Sequence, residues 1–123
     1  MDIDENYILF FDKCLAHGIY AGNYFKEYDC NFVVSNSLTI TDLKTSKNIM
    51  GAILFIYDNQ DHLLYELLPD LGNMPNLVLC VETHNLEWLR IYYPELSVLD
   101  IGIPKSELFA MLEEYLALHK NIK

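Results

Sequence analysis

Positive charge is what this sequence has least of. Eight Lys and Arg residues stand against 18 Asp and Glu, a formal net charge of −10. Lys13, Lys26, Lys44, Lys47, Arg90, Lys105, Lys120 and Lys123 are scattered and form no stripe. Contacts to a phosphate backbone need clustered Lys and Arg, so the balance disfavours a nucleic-acid-binding surface. Long apolar runs are missing too: none reaches the roughly 18–20 residues of a membrane span. The opening MDIDEN is acidic, which argues against a secretory signal or a mitochondrial transit peptide and leaves the cytoplasm as the expected location. Cysteine is sparse. Cys14, Cys30 and Cys80 are an odd, widely spaced set with no CxxC pair, expected to be reduced and mostly buried. A zinc site drawn from them and from His17, His62, His84 and His119 lacks the usual ligand spacing. GxSxG, the P-loop, GxGxxG and HExxH are all absent, so the hydrolase, nucleotide-binding and zincin readings have no motif to stand on.

What is present is a succession of short apolar runs separated by helical patterns. At 123 residues and 52% hydrophobic, the chain reads as a single domain over residues 1–123, with 1–6 and 120–123 expected to be flexible. The organising stretch is Gly51–Asn59, GAILFIYDN. An unbroken apolar run between a glycine and a polar cluster fits a strand buried on both faces, here Ala52–Tyr57. Tyr7–Phe11 is a second such run, ending at Asp12. Asn31–Ser35 and Leu77–Val81 are further strands, and Val98–Ile103 is a fifth, nearer an edge because it partly alternates.

Helical spacing fills the intervals. Cys14–Tyr28 is expected to be helical, with Leu15, Ile19 and Gly22 packing on the sheet and Tyr20, Tyr24 and Tyr28 on the opposite face. Ser37–Asn48 is read as a short helix anchored by Leu38, Ile40 and Leu43. Asp61–Leu71 is a leucine-rich helix. Asn85 caps a helix containing Leu86, Trp88, Leu89 and Tyr92, which Pro94 stops. Pro104 opens a last helix with Leu108, Met111, Leu112, Tyr115 and Leu118 on one side. Five strands alternating with five helices predict a doubly wound α/β sandwich with a parallel sheet and right-handed crossovers.

Two groups of residues are candidates for function. Open α/β sheets place working residues at the carboxyl edge. That edge should carry Asp12, either Tyr57 or Asp58, and the cluster Glu82, Thr83 and His84, which is read first as a solvated loop rim. Asp12–His17 lacks the Ser/Thr/Gly-rich loop that would cradle a flavin phosphate. The second group is aromatic. Trp88, Tyr92 and Tyr93 crowd one short helix and cannot all face inward, so Tyr92 or Tyr93 is expected at a partner contact and Trp88 in the core. Tyr20 and Tyr24 form a second possible contact stripe.

A (βα)5 chain with an aspartate after its first strand resembles the receiver domain of bacterial response regulators, which is flavodoxin-like. The resemblance implies an acidic Mg²⁺-binding pair after the first strand and an Asp nucleophile after the third. It also implies a Thr or Ser after the fourth strand, and a Lys before a Pro after the fifth. Here Asp12 is followed by Lys13. The nucleophile position falls on Asp58 or on Tyr57. Val81 stands at the hydroxyl position, with Thr83 two residues on, and Ile103 precedes Pro104. Lys105 follows that proline and is expected to point elsewhere.

The chain therefore looks like a degenerate, or pseudo-, receiver with a vestigial pocket of Asp12, Asp58 and Thr83. ILFFDKCLAHGIYAG most resembles the amino-terminal domains of atypical LuxR-type transcription regulators. The resemblance implies a regulatory domain without catalysis or cofactor, pairing with itself as a homodimer or with another regulator. The alternative is a working phospho-acceptor using Asp58, with Mg²⁺ held by Asp12 and Asp58. A small-molecule sensor built on the Asp12 and Asp58 pocket is a third reading.

Overall fold

The structure, a computed structural model, describes residues 7–26, 31–37, 49–57, 60–69 and 77–117. Five parallel strands, β1 (Tyr7–Asp12), β2 (Phe32–Ser35), β3 (Ile49–Ile56), β4 (Leu77–Val81) and β5 (Ser97–Asp100), form one sheet in the order β2-β1-β3-β4-β5. Four helices are described: α1 (Ala16–Tyr24), α2 (Asp61–Leu67), α3 (Thr83–Tyr92) and α4 (Lys105–Ala117). The fold is α/β and flavodoxin-like, as the alternation of apolar runs and helical patterns predicts. Most of the helix expected over Ser37–Asn48 lies outside the described residues, as do Tyr28, Cys30, Asp58, Leu71, Leu118 and the two termini. None of the described helices is long and apolar enough to cross a membrane.

The strands form where unbroken apolar runs can be covered twice. Successive side chains of a strand point to opposite faces, and both faces of this sheet are buried. Ile8, Phe10, Ile53, Phe55, Val78 and Cys80 face α1 and α4. Leu9, Phe11, Ala52, Leu54, Ile56, Leu79 and Val81 face α2 and α3. Truncating a side chain this enclosed, such as Leu54 or Leu79, costs about 2–5 kcal/mol. On the α1 side the filling is largely aromatic: Phe10 stacks on Phe25 at 5.6 Å, and Phe55 on Phe109 at 5.9 Å.

The element boundaries correct several sequence expectations. The helix α1 buries His17, Gly18 and Ala21, while Ile19 is 60% exposed and Gly22 faces out. The reason is local. Leu15 adopts a left-handed conformation (φ 65°) before the helix starts, so it ends the turn after β1 and sets no helical face. The packing face is then chosen by Gly18, the residue whose missing side chain lets α1 approach Asp12 and Val34.

Tyr20 and Tyr24 consequently lie half-buried in the seam between α1 and α4. They pack on Phe109 at 4.8 and 5.6 Å, and Tyr24 donates to Glu113 at 3.1 Å. They are not a free contact stripe. In α4, Leu108, Phe109, Leu112 and Leu116 are buried, whereas Met111 is exposed. Asn85 does not cap α3, which begins two residues earlier at Thr83. It is buried in the first turn, where its amide joins α3 to α2.

Candidate functional site

The order of the strands reverses between β1 and β3, and a sheet of this kind opens its crevice at the carboxyl ends of that pair. Asp12 is the last residue of β1 and pairs in register with Phe55. Tyr57 follows two residues later, just past β3. Because side chains alternate, Asp12 and Tyr57 continue the row formed by Ile8, Phe10, Ile53 and Phe55, on the α1 side. The phenol of Tyr57 therefore reaches Asp12. Of the two candidates for this edge, Tyr57 is the one placed beside Asp12, and Asp58 lies outside the described residues.

Three donors converge on the fully buried Asp12 carboxylate. The backbone N–H of Cys14 donates to Oδ1 at 3.0 Å. The N–H of Gly18 and the hydroxyl of Tyr57 donate to Oδ2 at 2.9 and 2.8 Å. A Cβ on Gly18 would lie 2.8 Å from Val34 Cγ1 and 3.2 Å from Asp12 Cβ, so glycine is what allows the helix to deliver its N–H.

His17 completes the chain, with Nδ1 at 2.8 Å from the Tyr57 hydroxyl. A phenol has one proton, and Tyr57 spends it on Asp12, so Nδ1 carries the hydrogen and donates to Tyr57. That leaves the lone pair of His17 on Nε2. The imidazole also stacks on Phe55 at 5.2 Å.

The environment holds this relay in one protonation state. Burial lowers the pKa of His17, the positive charge of Lys105 lowers it further, and Asp12 only partly opposes them. Burial first, and then the hydrogen bond to Asp12 and its charge, push the Tyr57 phenol far above its ordinary value. Tyr57 stays protonated and is no nucleophile. Lys105 stands exposed at the start of α4, and only the long-range effect of its charge reaches His17.

Gln60, also buried, ties the following loop down. It accepts from the Tyr57 N–H at 3.2 Å and donates to Cys14 Sγ at 3.7 Å. Cys14 is exposed, against the expectation of burial, and Cys80 is fully buried.

The other candidates fall elsewhere. The Thr83 hydroxyl donates to Asp100 at the end of β5 (3.4 Å), and the Gly102 N–H donates to the other oxygen of Asp100 at 2.8 Å. His84 pairs with Asp61 at 3.2 Å rather than with Glu82 or Thr83. Asp61 also accepts from Asn85 at 2.8 Å. Burial pushes its carboxyl up, but the hydrogen bonds from Asn85 and His84 outweigh that and hold its pKa below the usual value. Among the described residues, no three His, Cys, Asp or Glu side chains gather as a metal site would require.

The aromatic group on α3 is split as its crowding predicts. Trp88 is half-buried, and its Nε1 donates to Asn85 Oδ1 at 2.9 Å. Tyr92 is 72% exposed and Tyr93 is more covered.

Sequence reasoning missed His17, Gln60 and Tyr65 as members of these clusters. His17 was legible in principle, five residues after Asp12 in the first turn of the helix that must follow it. The pairing of Tyr65 with Trp88 depends on how α2 and α3 lie side by side. Comparison with family models, with curated proteins and with solved structures found no match to this chain.

Proposed function

We propose that this chain is a receiver-like regulatory domain that accepts no phosphoryl group and acts through protein–protein contact. It homodimerises or binds another regulator, in bacterial signal transduction and transcription control. On this reading it works in the cytoplasm, catalyses nothing and needs no cofactor. Its relation to atypical LuxR-type regulators is part of the same proposal.

One observation carries the reading. At the edge where a receiver keeps an open carboxylate pair, a buried Asp12 already takes three hydrogen bonds, one of them from Tyr57. An Mg²⁺ ion needs carboxylate oxygens it can reach, and phosphoryl transfer needs an acceptor aligned with the leaving group. Asp12 is occupied, and the phenol beside it is held protonated. The strand order, the reversal at β1 and the loss of Lys before Pro104 support the same reading.

The test is a pair of amide NMR spectra, one with Mg²⁺ and one with Mg²⁺ plus beryllofluoride, which mimics an acyl phosphate. Spectra that coincide are expected. Shifts centred on Asp12 and on residues next to Asp58 would overturn the proposal in favour of the phospho-acceptor. Acetyl phosphate labelling that disappears in Asp58→Asn would overturn it in the same way. A chain that stays monomeric at high concentration and binds no regulator would count against the contact role.

A further inference from the structure

The outer surface of α2 and α3 carries exposed rings with a built support beneath them. Tyr65, Ile91 and Tyr92 are 63%, 66% and 72% exposed. Trp88 lies between the two helices, stacked on Tyr65 at 6.3 Å and 9° and meeting Tyr93 edge-on at 6.5 Å. Its indole N–H is fixed by Asn85, and Asn85 is fixed by Asp61. Trp88, with Tyr65 stacked on it, is thus held in place before any partner arrives, which reduces the ordering cost of binding. Aromatic side chains that stay exposed and grouped are favoured at protein interfaces.

Charge identifies the partner's chemistry. Glu66 adjoins Tyr65, Glu87 adjoins Trp88, and Glu95 follows Tyr93 by two residues; all three are exposed or half-exposed. Across the sequences of α2 and α3 the one Lys or Arg is Arg90, and its guanidinium is turned onto the Val98 carbonyl of the edge strand at 3.5 Å. Exposed carboxylates thus neighbour the ring-bearing residues along α2 and α3, on a chain of net charge −10. A second copy would bring like charge against like, and an anionic membrane would be repelled in the same way.

We infer that the Tyr65–Trp88–Tyr92 surface docks a basic amphipathic segment of another protein. The apolar side chains of that segment cover the rings. Its Lys and Arg residues reach Glu66 and Glu87 and lie over the exposed aromatic faces. The inference rests on the reading of the domain as a contact module and names the chemistry of what it contacts.

Trp88 is the one tryptophan of the chain, so its fluorescence reports the surface directly. The experiment is selection of binders from a displayed random-peptide library on the full chain. The selected peptides are then titrated against the parent, Tyr92→Ala, Tyr65→Ala and Glu66→Gln/Glu87→Gln, each first shown to be folded by circular dichroism. The expected peptides combine Lys or Arg with aromatic or aliphatic anchors and shift the Trp88 emission. They should bind Tyr92→Ala about tenfold more weakly, and weaken on the glutamine variant and with added salt.

Neutral or acidic binders, or binders indifferent to Tyr65, Tyr92 and the two glutamates, would overturn the inference while leaving a contact role intact. So would a homodimer abolished by Tyr92→Ala, because the occupant would then be a second copy. No peptide binder, together with a strictly monomeric chain, would overturn both.

Discussion

A buried carboxylate is tolerable only when its hydrogen bonds are complete, and Asp12 shows how narrowly that condition is met here. Removing one donor leaves a buried acceptor short and, for Tyr57, also strands the Nδ1–H of His17. Tyr57→Phe should therefore lower stability by about 1–3 kcal/mol, read as a lower urea midpoint. Acid should act through His17. Its folded pKa is lowered below the ordinary 6.5, so the folded state binds fewer protons than the unfolded chain in that window. The contribution is complete above about pH 6.5 and is lost as the pH falls from there toward the folded value. His17→Gln keeps a donor for Tyr57 without the titration. Between roughly pH 7 and pH 5 the thermal midpoint of the parent should fall further than that of this variant.

At the scale of the element, α1 shows how one missing methyl group sets a helix face. Gly18 and Gly22 both lie in α1 at ordinary negative φ, so propensity treats them alike. Their surroundings do not. Alanine at 18 would press on Val34 Cγ1 at 2.8 Å and push the helix off Asp12. At 22 the nearest atom, Val34 Cγ2, is at 3.8 Å, an ordinary contact. Gly18→Ala should destabilise by about 1–3 kcal/mol, and Gly22→Ala should be neutral or stabilise by up to about 1 kcal/mol. Denaturant melts of the two variants side by side would check the pair. A neutral Gly18→Ala would mean that α1 is not held against Asp12 as described. Helix spacing alone points to Leu15, Ile19 and Gly22 as the packing face. It fails because the turn at Leu15 and the hydrogen bond from Gly18 to Asp12, neither of them periodic, decide the rotation of the helix.

For the whole molecule, the sheet divides the thiols by depth. Cys80 is fully buried and burial raises its pKa, while Cys14 stands exposed at the carboxyl edge. In a Cys30→Ser chain, a thiol reagent should label Cys14 at once and Cys80 only as fast as the protein opens, followed by mass spectrometry. Rapid labelling of both would contradict a core covered on the two faces of the sheet. The strands and their parallel arrangement were legible in the chain because unbroken runs such as LFF, ILFI and LVLCV can be satisfied only by burial on both sides, and the helices between them require crossovers. The crowding of Trp88, Tyr92 and Tyr93 likewise determined that some ring must be exposed. Which residue meets Asp12 was settled only by tertiary structure. It depends on β3 ending at Ile56 and on the register that sets Asp12 beside Phe55, and a shift of one residue would turn the opposite set of side chains to the site. The same holds for His17 and Tyr65, whose partners lie on other elements. Local pattern specifies what must be buried, while the packing of one element on another specifies which polar groups meet.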